Sequence, residues 1–144
     1  MDPDTLGDVI AALNADVTLT GLLKVTGRCF RARRIKTQDC PCVTLGGADD
    51  SIPRPGNVAN RKRDNLALLK VDVWVDSQRS SKPQSGRDAD EIEQRVDVIL
   101  LNGASPPGET RGWQKIPGGN QMFEDDTKIW HNPTRYSFEF TITD

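Results

Sequence analysis

Eight consecutive positions constrain the fold of this chain more than any others. Leu69, Val71, Val73 and Val75 alternate with Lys70, Asp72, Trp74 and Asp76. Period two over that length marks a β-strand with one apolar face, and the neighbouring residues extend it over Leu66–Asp76. Valine at three of the four apolar positions suits a pleated surface, because its branched side chain packs well there. A strand of this kind needs partners for its backbone and a second layer to cover its apolar face. The rest of the sequence has to supply both.

Partners are easily found. Tyr136, Phe138, Phe140 and Ile142 alternate with Ser137, Glu139, Thr141 and Thr143, which predicts a closing strand over 135–143. Arg28 to Ile35 reads as a strand, and Cys42-Val43-Thr44-Leu45 as a short one entered through Pro41 and ended by Gly46-Gly47. The covering layer comes from two helical stripes. Asp4 is a good N-cap, and Leu6, Val9, Ile10 and Leu13 share one face of a helix over about 5–15. Asp16 or Thr18 caps a further turn carrying Leu19, Leu22 and Leu23, which ends before Gly27. Ala89, Ile92, Val96, Ile99 and Leu100 form the stripe of a later helix that starts at Asp88 or Asp90 and reaches Leu101, with Gly103 just beyond.

Residues 46–65, 77–87 and 102–134 show no apolar period and read as long, flexible polar loops, the middle one as an arm. Segments with few apolar side chains cannot offset their own ordering entropy, so the first two are expected to be mobile until a partner orders them. Removing Ser80–Ser85 should then leave stability nearly unchanged. The predicted fold is a single α+β domain over 1–144. It has two layers, a mainly antiparallel β-sheet with the N-terminal helix and the later helix packed on one face, and long loops.

Composition narrows the function classes. The 144 residues are 35% hydrophobic and 28% charged. No stretch approaches the ~20 apolar residues of a membrane helix. The acidic start, Met1-Asp2-Pro3-Asp4, with no hydrophobic run behind it, predicts no secretory signal. Three cysteines, an odd number, then point to reduced thiols in a cytoplasmic setting. The net charge of −2 is unevenly spread: residues 1–72 carry 11 basic and 9 acidic side chains, residues 73–144 carry 8 and 12. Opposite-signed halves suit head-to-tail packing of identical subunits.

Catalytic constellations are thin. His131 is the one histidine, and Trp130 with Asn132-Pro133 makes it read as a turn residue before the last strand. No serine or cysteine sits in a G-x-S-x-G-like elbow. Cys29, Cys40, Cys42 and His131 would make a Cys₃His metal set, but zinc knuckles need a wider spacing than Cys40-Pro41-Cys42. In a strand, moreover, C-x-C sends its thiols to opposite faces. Gly46-Gly47 and Gly118-Gly119 lack any phosphate-loop context. Glu124-Asp125-Asp126 reads as a solvated loop, and Asp88-Ala89-Asp90-Glu91 as the negative charge favoured at a helix start. These features predict no enzyme, no metal and no cofactor.

Basic residues cluster at Arg28, Arg31, Arg33, Arg34 and Lys36, and again at Arg54, Arg61, Lys62 and Arg63. Arg31, Arg33, Arg34, Arg61, Lys62 and Arg63 are candidate interface or DNA-facing residues, and Arg79, Lys82 and Arg87 a candidate interface arm. A chain of net charge −2 without a recognition helix falls short of a dedicated nucleic-acid binder. The bland reading of these clusters is a solvated strand edge and a charged loop.

The order of elements resembles the tail terminator (tail completion) proteins of long-tailed bacteriophages. Four stretches carry the resemblance: Leu6 to Leu23, ending in Asp16-Val17-Thr18-Leu19-Thr20-Gly21-Leu22-Leu23; Pro41-Cys42-Val43-Thr44-Leu45; Leu69-Lys70-Val71-Asp72-Val73-Trp74-Val75 with the following arm and helix; and Arg135-Tyr136-Ser137-Phe138-Glu139-Phe140-Thr141-Ile142. Cys42 stands where the family more often has an aromatic, and the 102–134 segment is longer than is usual. The resemblance implies a structural virion protein of the tail or neck, assembled in the host cytoplasm as a ring, of six copies in that family's pattern. Such a ring caps the head-proximal end of the tail tube, stops its polymerisation and joins it to the head connector or stopper protein. Its partners would be itself, the tube protein, the connector and genomic DNA passing without sequence recognition, with no membrane. The alternatives are another head–tail joining protein of the neck, a DNA-binding accessory protein using the basic clusters, or an enzyme or redox protein built on Cys40, Cys42 and His131.

Overall fold

A computed structural model describes residues 5–53, 62–102 and 113–143. It is an α+β fold. Two helices, α1 (Thr5–Ala15) and α2 (Val17–Leu23), lead into strand β1 (Cys29–Arg31), a 3₁₀ turn at Thr37–Asp39 and strand β2 (Cys42–Pro53). Strand β3 (Lys62–Asp76), a 3₁₀ turn at Ser77–Arg79, helix α3 (Lys82–Asn102) and strands β4 (Gln114–Ile116), β5 (Met122–Glu124) and β6 (Ile129–Thr143) follow. The sheet runs β1-β2-β3-β6-β4, and β5 also pairs with β6. β1 is parallel to β2, and the other pairings are antiparallel.

The alternation that marked β3 decides its orientation. Leu69, Val71, Val73 and Val75 are buried and pack with Val43 and Leu45 of β2 and Tyr136 of β6. Val9 and Leu13 of α1, Leu19 and Leu23 of α2, and Ala89, Ile92, Val96 and Leu100 of α3 close over them. All three helices therefore cover one face of the sheet. Asp16 organises this layer at a single point. Its carboxylate accepts the Leu19 amide (2.8 Å), capping α2, and receives the guanidinium of Arg95 from α3 through Nε (3.0 Å) and Nη2 (2.7 Å). That fork-on-carboxylate geometry holds the Asp16 carboxyl below the usual carboxylate range.

Several elements run longer than their side-chain patterns indicate. Residues 46–53 and 62–65, read from the sequence as loop, are strand: β2 and β3 pair from Cys42↔Trp74 to Pro53↔Asn65, with a register shift between Ala48 and Ile52. Strand pairing is a backbone property, and glycines or acidic residues with no apolar period can still complete a ladder. Residues 54–61 lie outside the described residues, as do 103–112. The 102–134 segment likewise contains β4, β5 and the start of β6, which pairs with β3 from Asp76↔Ile129 onward. In the other direction, β1 is shorter than the predicted 28–35. Past the Ala32 amide, which bonds Leu45 O at 2.9 Å, the chain turns away toward the 3₁₀ turn.

Helix α3 starts at Lys82 and not at Asp88 or Asp90, so Lys82 and Arg87 belong to a helix and not to an arm. The cause is local. Ser81-Lys82-Pro83-Gln84 follows the S-x-x-Q start pattern, and the Ser81 hydroxyl accepts the Gln84 amide at 3.2 Å. Proline is tolerated in a first turn because no intrahelical bond needs its missing N–H. Gly86 then lets the helix lie against Trp130: a Cβ there would sit 3.2 Å from the indole. The indole Nε1 donates to Lys82 O at 2.9 Å.

Candidate functional site

The face of the sheet turned away from the helices carries the outward residues of β2, β3 and β6. By register, Cys42, Trp74 and His131 form one row across it, and Thr44, Asp72 and Pro133 the next. His131 is therefore a strand residue, not a turn residue. Its Nε2 lies 2.7 Å from Asp72 Oδ1, with side chains 14% and 7% exposed. The Trp74 indole stacks on the imidazole at 3.9 Å and donates Nε1–H to Thr44 Oγ1 at 3.0 Å. A histidine held by a carboxylate is the orienting half of a hydrolytic triad. Cys42, the cysteine in this row, is two strand spacings from His131, about 10 Å, with Trp74 between them.

Beside this row, the β4–β5 connection leaves a pocket of about 470 Å³ whose lining includes Lys70, His131, Pro133, Arg135, Met122 and Gly119. Gly119 has φ +85°, and a Cβ there would meet the Pro133 carbonyl oxygen at 2.4 Å, so only glycine lets this wall close on β6. Lys70 and Arg135 are directly opposite each other on β3 and β6 and are both exposed.

On the helix side, polar groups are satisfied in two networks. Tyr136 donates its hydroxyl to Asp97 of α3, whose other oxygen accepts Lys115 Nζ at 2.9 Å; the same ammonium reaches Glu93 at 3.3 Å. Burial, reinforced by the Asp97 carboxylate, pushes the Tyr136 phenol up. Burial works to lower the Lys115 ammonium, but the two carboxylates outweigh it and leave it raised. Gln121 Nε2 bridges Gly86 O (2.9 Å), Asp90 (3.1 Å) and Asn132 (2.9 Å), tying the β4–β5 connection to α3 and β6.

The candidate basic residues do not form one patch. Arg31 lies on β1, where it pairs in register with Leu45, itself opposite Val71. Lys62 and Arg63 lie at the far end of β3, opposite Thr143 and Ile142. The nine-residue offset from Lys62 to Val71 separates the two groups by roughly 30 Å along the strand. Arg33 stacks on Phe30 (4.4 Å) and pairs with Asp39 (3.3 Å), while Arg34 is exposed. Arg61 lies outside the described residues. Arg79 ends the second 3₁₀ turn. Lys82 rests over the Phe123 ring at 4.2 Å, and Arg87 donates to Gln84 Oε1 at 3.1 Å.

All three cysteines are buried free thiols. The strand rule for C-x-C does not apply, because Cys40 precedes β2; Cys40 and Cys42 contact each other. The Cys40 contact and burial push the Cys42 thiol far up, and burial pushes Cys29 up to about 12. Thiols so held are poor nucleophiles, since attack needs the thiolate. Among the described residues, no three His, Cys, Asp or Glu side chains converge as a metal site.

No protein-family model matches the chain. No curated protein matches it either. Among solved structures, the chain is similar to one described as the virion of a native gene transfer agent (GTA) particle, at 16% identity and a TM-score of 0.62, over 92% of this chain and 92% of that one. At that identity the likeness is one of fold.

Proposed function

We propose that the chain is a structural protein of a phage-like virion, and more narrowly a ring-forming tail terminator. The observation that carries this reading is the fold itself: a chain from a gene transfer agent virion superposes over 92% of both lengths. That match runs over 92% of each chain, so it is a likeness of the fold as a whole and not of a shared motif. The sequence resemblance to tail terminators leads to the same class independently. Fold alone does not fix function; what supports the structural reading is that the similar chain belongs to a virion particle. In this reading the ring closes through heterologous contacts, caps the tail tube and docks it to the head connector, and DNA passes through its channel.

Electron microscopy of tails assembled without this protein tests the role. Overlong tubes identify a terminator, and tails of normal length that fail to join heads identify another neck protein. Light scattering tests the ring, since six copies have six times the 15.9 kDa of one chain.

A further inference from the structure

Lys70 and Arg135 face each other across β3 and β6, and like charges in that position repel. Among the described residues neither makes an ion pair or hydrogen bond. They share the wall of the 470 Å³ pocket with His131, and Met122, Pro133 and Gly119 complete an apolar and backbone lining. Two unpaired cations at the mouth of a preformed pocket make a site for a carboxylate-bearing segment. The same molecule carries such a segment. Asp125 and Asp126 are exposed in the turn between β5 and β6 and also lack partners among the described residues. Their hairpin is braced: Lys128 N bonds Glu124 O at 2.8 Å, and Thr127 Oγ1 donates to Glu124 at 2.9 Å.

Met122 of the hairpin's own β5 lines the pocket, but the Asp125–Asp126 tip lies away from the two cations. β6 leaves the turn at Ile129, opposite Asp76, whereas Lys70 and Arg135 lie six residues further along both strands, roughly 20 Å away. We infer that the Asp125–Asp126 turn of one copy seats in the Lys70–Arg135 pocket of the next. Two different surfaces of one chain then meet head to tail, the kind of contact that closes into a ring. This assignment rests on the ring reading above and names one of its interfaces.

Charge reversal tests it in the full-length chain. Lys70→Glu with Arg135→Glu makes a variant whose pocket repels its own hairpin; Asp125→Lys with Asp126→Lys makes one whose hairpin repels its own pocket. All four side chains are exposed, and circular dichroism checks that both variants fold. Sedimentation at low salt should show each variant weakened in self-association by about a hundredfold. An equimolar mixture should recover assembly, because each hairpin then finds an opposite pocket. Wild-type assembly should weaken with added salt. Normal assembly of both variants overturns the contact and leaves the ring to another surface. Loss with the pocket variant alone also overturns it, by giving the pocket to an acidic segment of a different partner. A wild-type chain monomeric at high concentration overturns it too, whereas the terminator role is judged separately by tail length.

Discussion

Trp74 and His131, opposite each other on β3 and β6, stack as parallel plates with 4° between their rings, and the same imidazole meets Asp72 at 2.7 Å. Stacking and hydrogen bonding are separable here. His131→Phe keeps a ring on Trp74 but strands the Asp72 carboxylate, which is 7% exposed. Leaving a buried carboxylate without its hydrogen-bond donor costs about 1.5–3 kcal/mol, against ~1 kcal/mol for an aromatic contact. Urea unfolding should therefore show His131→Phe to be nearly as destabilised as His131→Ala. A large gap between the two variants would assign the energy to the stack.

Val96 is 1% exposed at the centre of the helical layer. Val96→Asp puts a charge there with no partner, at a cost of several kcal/mol, about 4 or more. The expected result is an insoluble or unfolded product, read from soluble yield and far-UV circular dichroism. A soluble, cooperatively folding variant would mean that α3 packs on something other than this core.

Asp16 both caps α2 and pairs with Arg95, and pH separates the two roles. Asparagine caps a helix as well as aspartate does, so Asp16→Asn removes only the ion pair. The folded-state pKa of Asp16 is depressed. Its contribution is therefore fully present above the unfolded carboxylate value of about 4 and is lost as pH falls through the lower folded value. Wild type should exceed Asp16→Asn in stability at pH 7, and the difference should shrink steadily below pH 4. A difference independent of pH would show that the pair contributes no charge-dependent stability.

The burial of Cys29, Cys40 and Cys42 has a kinetic consequence. With Cys29 pushed up to about 12 and Cys42 higher still, little thiolate exists at pH 8. An aromatic disulfide reagent should modify the native protein only at the rate of opening, and all three thiols at once in denaturant. Rapid modification of one native thiol would identify an accessible, functional cysteine.

Side-chain period was readable wherever one face of an element is buried. Leu69–Val75, Leu6–Leu13 and Ile92–Leu100 stand where their stripes put them, because burial is what writes such a stripe. It is silent wherever the backbone alone pairs, so residues 46–53 and 62–65 carry no strand-like period although they belong to the β2–β3 ladder. The outer-face row was hidden for another reason. Asp72, Trp74 and His131 are 59 residues or fewer apart in sequence and meet only through the β3–β6 register, which no local pattern encodes. The lone histidine and the single tryptophan inside the strongest strand were the available signals, and neither names a partner.

The start of α3 reverses an expectation about Ser80–Ser85. Read as an arm, this segment should be removable without cost. In the structure Ser81 caps the helix, Ser85 is fully buried with its hydroxyl bonded to Ser81 O (2.9 Å) and Lys82 O (3.0 Å), and Lys82 O accepts the Trp130 indole. Deletion removes all of these and pulls Gly86 off the indole face it needs to approach. Loss of a cap is worth ~1 kcal/mol, and each stranded bond adds about as much, so the deletion should cost roughly 2–4 kcal/mol. Ser81→Ala, which removes only the cap, should cost about 1 kcal/mol. Urea midpoints of the two variants, compared with wild type, decide between the readings. A deletion variant as stable as wild type would mean that α3 begins at Asp88 in solution and that the Ser81–Trp130 contacts hold nothing together.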